Sequence, residues 1–192
     1  RKEEKAPFYY FQYGPFEICT VRPETKFGDK YVVMHPDDTR YTKYTHGDTF
    51  ECEWINGPIT ATIIKDEAAD PELGSGVMTI TPWHSAEDFF IAERHGLDKE
   101  QVIDVHGKLM ENTGEFAGMS IEEARLKVVE KLDRKGLLIK TDKEYVHQLA
   151  TNSRGGGVIE PQIMKQWWVG VKKEFVVKDS KIDGVATGEK TT

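Results

Sequence analysis

The chain has 192 residues, of which 38% are hydrophobic and 31% charged, enough for one sizeable domain with its own core. Its formal net charge of −7 argues against an autonomous nucleic-acid binder, which carries a basic surface, but not against a site that receives an RNA end delivered by another domain. No apolar run reaches the ~20 residues of a membrane span, and Arg1-Lys2-Glu3-Glu4-Lys5 leads into aromatic residues with no apolar signal core, so the expectation is a cytoplasmic, reducing setting with no membrane partner.

The first half reads mainly as strands. Phe8–Tyr13 is aromatic and β-prone, Glu17–Arg22 alternates, and Tyr31–Met34 is a short apolar run. Thr49–Trp54 alternates, Ile59–Ile64 is β-branched, and Gly76–Thr81 follows a Gly-x-Gly break. Turn residues separate these runs at Gly14-Pro15, Gly28-Asp29, Pro36-Asp37-Asp38, Asn56-Gly57-Pro58 and Asp70-Pro71. Many short strands so punctuated predict a barrel-like or sandwich-like sheet. Cys19 and Cys52 lie in these runs without metal-ligand spacing and read as buried free thiols.

Two helices are predicted. The first spans Ser85 to His95, with Ser85 and Asp88 in capping-box positions and Gly96 as terminator. The second spans Ser120 to Lys135, with a box at Ser120 and Glu123, Gly136 beyond its end, and Ile121, Ala124, Val128 and Leu132 forming one apolar stripe. Extended structure then returns at Leu137–Ile139 and Tyr145-Val146. Arg154-Gly155-Gly156-Gly157 lacks the Lys-Ser/Thr of a phosphate loop and reads as a turn. Residues 172–192 are polar and read as a weakly ordered tail after a domain spanning 1–171.

Common catalytic patterns are absent: no Gly-x-Ser-x-Gly, no His-Glu-x-x-His, no Cys-x-x-Cys. The six histidines are scattered, so no metal site is expected. Two segments concentrate polar groups at strand ends. Thr20-Val21-Arg22-Pro23-Glu24-Thr25 offers hydroxyls, a guanidinium and a carboxylate. Thr79-Ile80-Thr81-Pro82-Trp83-His84-Ser85, running on to Asp88, joins a strand to a helix N-terminus with its free N–H groups and positive dipole end. Each residue also has a plain structural use: Asp88 as a helix cap, Arg22 as an ion-pair residue, the threonines as strand formers, His84 as a loop residue.

The order of these segments resembles the editing domain of class I aminoacyl-tRNA synthetases, in its valyl form. The resemblance is carried by Thr20 to Asp29, by His35-Pro36-Asp37-Asp38 with Arg40-Tyr41, and by Gly74 and Gly76 followed by Thr81-Pro82-x-His84-x-x-x-Asp88-Phe89. Arg94-His95-Gly96-Leu97, Asn112-x-Gly114-Glu115-Phe116-Ala117-Gly118-Met119 and Glu160-Pro161-Gln162-Ile163-x-x-Gln166-Trp167-Trp168-Val169 extend it, the last as a strand returning to the catalytic domain. Departures are Val21 for a second threonine, Thr79 where a lysine is common, and Ser85 for an aspartate.

The resemblance implies a mainly β, α+β editing domain of barrel character with flanking helices, and post-transfer hydrolysis of mischarged Thr-tRNA(Val). The isoleucyl editing domain and a non-catalytic binding module for the tRNA 3′ end are the alternatives. It implies catalytic roles for Asp88 and Thr81, with Asp88 holding the substrate's α-ammonium. Thr20, Arg22, Glu24, Thr25, Thr79, His84 and Ser85 are expected to bind substrate. Editing should need no cofactor, whereas ATP and Mg belong to the full-length synthetase. The ATP signatures are missing here, so amino-acid activation is not expected. The expected partners are the tRNA 3′ end and the remainder of the synthetase chain.

Overall fold

The computed structural model describes residues 2–167, together with the backbone of Phe175–Val176 and Lys190–Thr191, which pair antiparallel. Trp168-Val169 and most of the expected 172–192 tail lie outside the described residues. An unanticipated strand, β1 (Lys2–Lys5), precedes elements that follow the expected order: β2 (Phe8–Tyr13), β3 (Phe16–Thr20), β4 (Tyr31–Met34), β5 (Thr49–Trp54), β6 (Gly57–Lys65), β7 (Val77–Thr79), α1 (Ala86–His95), α2 (Ile121–Arg134), β8 (Leu138–Asp142) and β9 (Val146–Leu149). Short 3-10 turns occupy Pro23–Gly28, Thr39–Tyr41 and Glu111–Phe116. The class is α+β and mainly β.

The strands form separate sheets rather than a closed barrel. β3-β2-β8 is antiparallel, β5-β6-β4-β7 is mixed with β4 parallel to β6, and β1 pairs with β9. Full closure is one remedy for exposed strand edges. Here β7 packs along β3, bringing the two larger sheets edge to edge. Two other expectations change. The run Glu17–Arg22 stops being a strand at Thr20, because Pro23 fixes a backbone angle suited to the 3-10 turn that follows. The returning strand at Glu160–Trp167 has no regular structure in its described part.

One core cluster joins both large sheets to α2. Phe11, Tyr13, Phe16 and Ile18 from β2 and β3 meet Trp54 and Ile63, and Ala124, Val128 and Leu132 cover them from α2. That helix begins with the expected full capping box at Ser120 and Glu123. In α1 only half the box forms. Ser85 Oγ accepts from Asp88 N at 3.3 Å, but the Asp88 carboxylate turns away from Ser85 N and accepts from Thr81 N at 2.8 Å. The Arg94 and His95 side chains hold Asp66, at 2.7 Å for the closest Arg94 contact and 2.8 Å for His95 Nε2, fixing the far end of α1.

The loop into β7 is shaped by two glycines and a clamp. Gly74 has φ +59° and a Cβ there would meet Cys19 Sγ at 2.7 Å. Gly76 has φ +77° and a Cβ would collide with Arg40 Nη2. Arg40 holds Asp38 and donates to Pro71 O at 2.7 Å, and Tyr41 donates to Ser75 O at 2.8 Å. The Asp38/Arg40/Tyr41 segment thus positions the loop that sets β7. Among the described residues no helix is long and apolar enough to cross a membrane.

Gly76→Ala should lower stability by about 1–3 kcal/mol, since it imposes left-handed strain and displaces the Arg40 clamp. Urea denaturation measures this. A midpoint indistinguishable from the unmodified chain would show that the loop tolerates a side chain.

Candidate active site

The two polar segments, some sixty residues apart in the chain, line one cleft of about 520 Å³. Thr20 closes β3, Arg22 and Thr25 come from the turn beyond it, Thr79 closes β7, and Thr81, His84, Ser85 and Asp88 follow. Phe8, Tyr145, His147 and Pro161 complete the rim. Of the expected substrate-contacting residues only Glu24 lies outside the lining.

Asp88 is buried in the first turn of α1, with one carboxylate oxygen on Thr81 N. Burial pushes its acidity up, and the Thr81 amide and the nearby Lys26 charge only partly offset this. Thr20 Oγ1 accepts from Arg22 N at 2.9 Å, and Thr25 Oγ1 donates to Arg22 O at 3.0 Å, so both hydroxyls also define the turn.

Arg22 has little capacity left. It donates to both Glu160 oxygens at 2.6 and 2.5 Å, to His84 O at 3.0 Å and to Glu24 at 3.4 Å. His84 is wholly buried. Its Nε2 accepts from Val102 N at 3.1 Å and Ile103 N at 3.2 Å, which leaves the proton on Nδ1, 3.3 Å from Glu160 Oε1. Burial raises the Glu160 carboxyl, but His84 and Arg22 outweigh it and hold the group below the usual carboxylate range. Gln162 continues this strap, accepting from Trp83 Nε1 at 3.0 Å and donating to Ile103 O at 3.2 Å.

Three charged groups escaped the sequence reading as parts of this site: Lys26, Arg125 and Glu160. Lys26 is buried at the cleft with Nζ 3.0 Å from Thr79 Oγ1 and 3.4 Å from Asp29 Oδ2. An ammonium therefore reaches Thr79 from the neighbouring turn, at the position where the resemblance led one to look for a lysine. Arg125 of α2 reaches the fully buried Glu24 at 2.9 and 3.0 Å. No local spacing signals either contact. Cys19, expected to be buried, is only half-buried and lines the cleft. Burial raises its thiol above the ordinary value, which opposes a thiolate nucleophile. Cys52 is buried as expected. Among the described residues no group of three or more His, Cys, Asp or Glu side chains is arranged to hold a metal.

Valine--tRNA ligase of Lactobacillus johnsonii is 38% identical over 95% of this chain and 21% of its own length. The same ligase from Geobacillus stearothermophilus is 38% identical over 95% of the chain and 21% of its own. That of Thermotoga maritima is 34% identical over 98% and 22%. The chain belongs to the valyl-tRNA synthetase family. It spans about a fifth of the length of the curated relatives it matches. The crystal structure of GlLeuRS-CP1 aligns with a TM-score of 0.41 at 13% identity, over 71% of this chain and 82% of that one, too distant for a residue comparison. No protein-family model matches the chain.

Two outcomes test these electrostatics. Arg125→Met leaves Glu24 buried with a weaker partner, and should destabilise the chain by about 3–5 kcal/mol in denaturant titration; a cost below about 1 kcal/mol would mean that Glu24 relaxes to solvent. Burial lifts Asp29 to about 6 against an attractive contribution from Lys26. Its folded value exceeds its unfolded one, so its contribution to stability is full below about pH 4 and falls as pH rises through about 6. A carboxyl carbon NMR titration should find this midpoint, and Lys26→Met should move it higher; an unmoved midpoint would contradict the pairing.

Proposed function

We propose that this cleft hydrolyses mischarged aminoacyl-tRNA, as the editing segment of a valyl-tRNA synthetase, with Thr-tRNA(Val) as its substrate. The observation that carries the reading is a buried carboxylate, Asp88, at the wall of a hydroxyl-rich cleft. The valyl family membership supports it, because a hydrophobic synthetic pocket cannot strongly reject threonine in favour of valine, and a second, polar pocket can.

The substrate is an ester between an amino acid and the terminal ribose. Its α-ammonium pairs with Asp88 through a charge-assisted hydrogen bond, using the carboxylate oxygen not bound to Thr81 N. Thr20, Thr25 and Thr81 offer hydroxyls to orient the ester and a water. The Cys19 thiol in the cleft is held protonated by burial, and the Thr20 and Thr25 hydroxyls are engaged with the Arg22 backbone. Direct attack by a positioned water on an already activated ester is therefore the mechanism. Arg22, His84 and Glu24 act behind the contact surface as braces, Arg22 through Glu160, His84 through its Nε2 on the Val102 and Ile103 amides, and Glu24 through Arg125.

The tRNA 3′ end and the remainder of the synthetase chain are the proposed partners. With a net charge of −7 the segment relies on that remainder to deliver the RNA. ATP and Mg serve amino-acid activation elsewhere in the full protein, and hydrolysis at this cleft needs neither.

Asp88→Asn in the full-length synthetase should slow hydrolysis of Thr-tRNA(Val) roughly ten- to hundredfold, the loss of one charged hydrogen bond acting in the transition state. Charging with valine should be spared. In the unmodified enzyme the rate should fall on acidification as Asp88 protonates, at a pH above the ordinary aspartate range because burial raises its value. Circular dichroism checks the fold. Normal editing by a folded Asp88→Asn variant would reduce Asp88 to a structural residue, whereas no deacylation by the unmodified enzyme would favour a binding module.

A further inference from the structure

The carboxylate of Glu160 stands between the two walls of the cleft and reaches both. From one wall Arg22 Nη2 donates to Oε1 at 2.6 Å and to Oε2 at 2.5 Å. From the other, the protonated Nδ1 of the buried His84 lies 3.3 Å from Oε1 and has no other partner among the described residues. Each wall carries part of the polar lining beyond these groups. On the first, Thr20 Oγ1 accepts from Arg22 N and Thr25 Oγ1 donates to Arg22 O, so the Arg22 backbone decides which way both hydroxyls face. Thr20 keeps its proton to donate, and Thr25 keeps its lone pairs to accept. On the second, His84 belongs to the turn in which Asp88 folds back on Thr81 N, and His84 N donates to Thr81 O at 2.9 Å.

This junction needs a group that only accepts. The Arg22 guanidinium and the His84 Nδ1–H are both donors, and an ionised carboxylate has no N–H or O–H to oppose them. Because Arg22 Nη2 contacts both oxygens, a side-chain amide lying either way would point an N–H at it. Glu160 is absent from the cleft lining, so its effect on a ligand passes through the residues it holds. The segment that carries it is seated independently, by Gln162 on Trp83 Nε1 and Ile103 O. We infer that Glu160 is a positioning residue for hydrolysis at this cleft: it sets the spacing between the Thr20 and Thr25 hydroxyls and the Thr81–Asp88 turn, and thereby where the ester and its water meet. The inference rests on the deacylase reading. A misplacement of the reacting groups by a fraction of an ångström lowers the rate at saturation, whereas the hold on the RNA does not pass through this carboxylate.

The test is single-turnover deacylation of Thr-tRNA(Val) by the full-length synthetase over a range of enzyme concentrations, which separates the maximal rate from the half-saturating concentration. Glu160→Gln should lower the maximal rate roughly ten- to hundredfold and leave the half-saturating concentration within about threefold, with valine charging as the check on fold. Glu160→Asp keeps an acceptor-only group on a shorter stem and should recover part of the lost rate. An unchanged maximal rate with Glu160→Gln, a loss confined to half-saturation, or a Glu160→Asp enzyme no faster than the Glu160→Gln one would overturn the inference. A second arm needs no substrate: in this chain Glu160→Gln should shift the amide NMR signals of Thr20, Thr25, Thr81 and Asp88 together. Shifts that stop at Arg22 and His84, its direct neighbours, would overturn the inference as well. If the unmodified enzyme does not hydrolyse Thr-tRNA(Val), the deacylase reading itself fails and takes this inference with it, a result visible before any variant is made.

Discussion

The cleft depends on a turn of charged residues packed where charge is expensive. Between Pro23 and Asp29 the chain buries Glu24, Lys26 and Asp29 in succession. Each is held by a different part of the fold: Glu24 by Arg125 of α2, the Lys26 carbonyl by Trp54 of β5, and the Asp29 carbonyl by Tyr13 of β2. Buried ion pairs add little net stability compared with apolar packing, but breaking one is costly. Such a turn is rigid because every way of loosening it strands a charge. It sets where Thr20 and Thr25 present their hydroxyls and where the Lys26 ammonium meets the cleft.

The opposite wall is built by other means. β7 arrives through a loop whose glycines allow close approach to Cys19 and Arg40, and the Pro82 turn then starts α1 with Asp88 turned back onto Thr81 N. The strap at Glu160–Gln162 joins the two walls, because Glu160 engages Arg22 from one and His84 from the other. Few groups remain free to move toward a ligand, so the geometry is pre-organised, which is what positioning an ester and a water requires. Arg22 illustrates the division of labour. A residue of a type that recognises phosphate is here committed to a carboxylate of its own chain.

The parts legible in the sequence are those written locally. Alternation and turn residues located β2 to β8, though not the charged β1, and serine caps with terminal glycines located both helices, because these signals act within a few residues. Asp88 was locally legible as a first-turn aspartate, but its actual partner, Thr81 N, lies seven residues back across a proline turn. The parallel pairing of β4 with β6 and the separation into sheets are non-local choices that periodicity does not encode. Glu24 and Arg125 are separated by 101 residues and Arg22 and Glu160 by 138, beyond any spacing rule. Lys26 and Thr79 are separated by 53, again beyond any spacing rule.

The central claim is that the space bounded by Thr20, Thr25, Thr79, Thr81 and Asp88 is an aminoacyl pocket. The most direct measurement is amide NMR of this chain titrated with a non-hydrolysable amide analogue of 3′-threonyl adenosine. The account predicts saturable shifts concentrated at Thr20–Lys26 and Thr79–Asp88, and weaker, smaller shifts with the valyl analogue. Saturable shifts confined to another surface, such as that around Asp66 and Arg94, or no saturation at millimolar analogue, would contradict it.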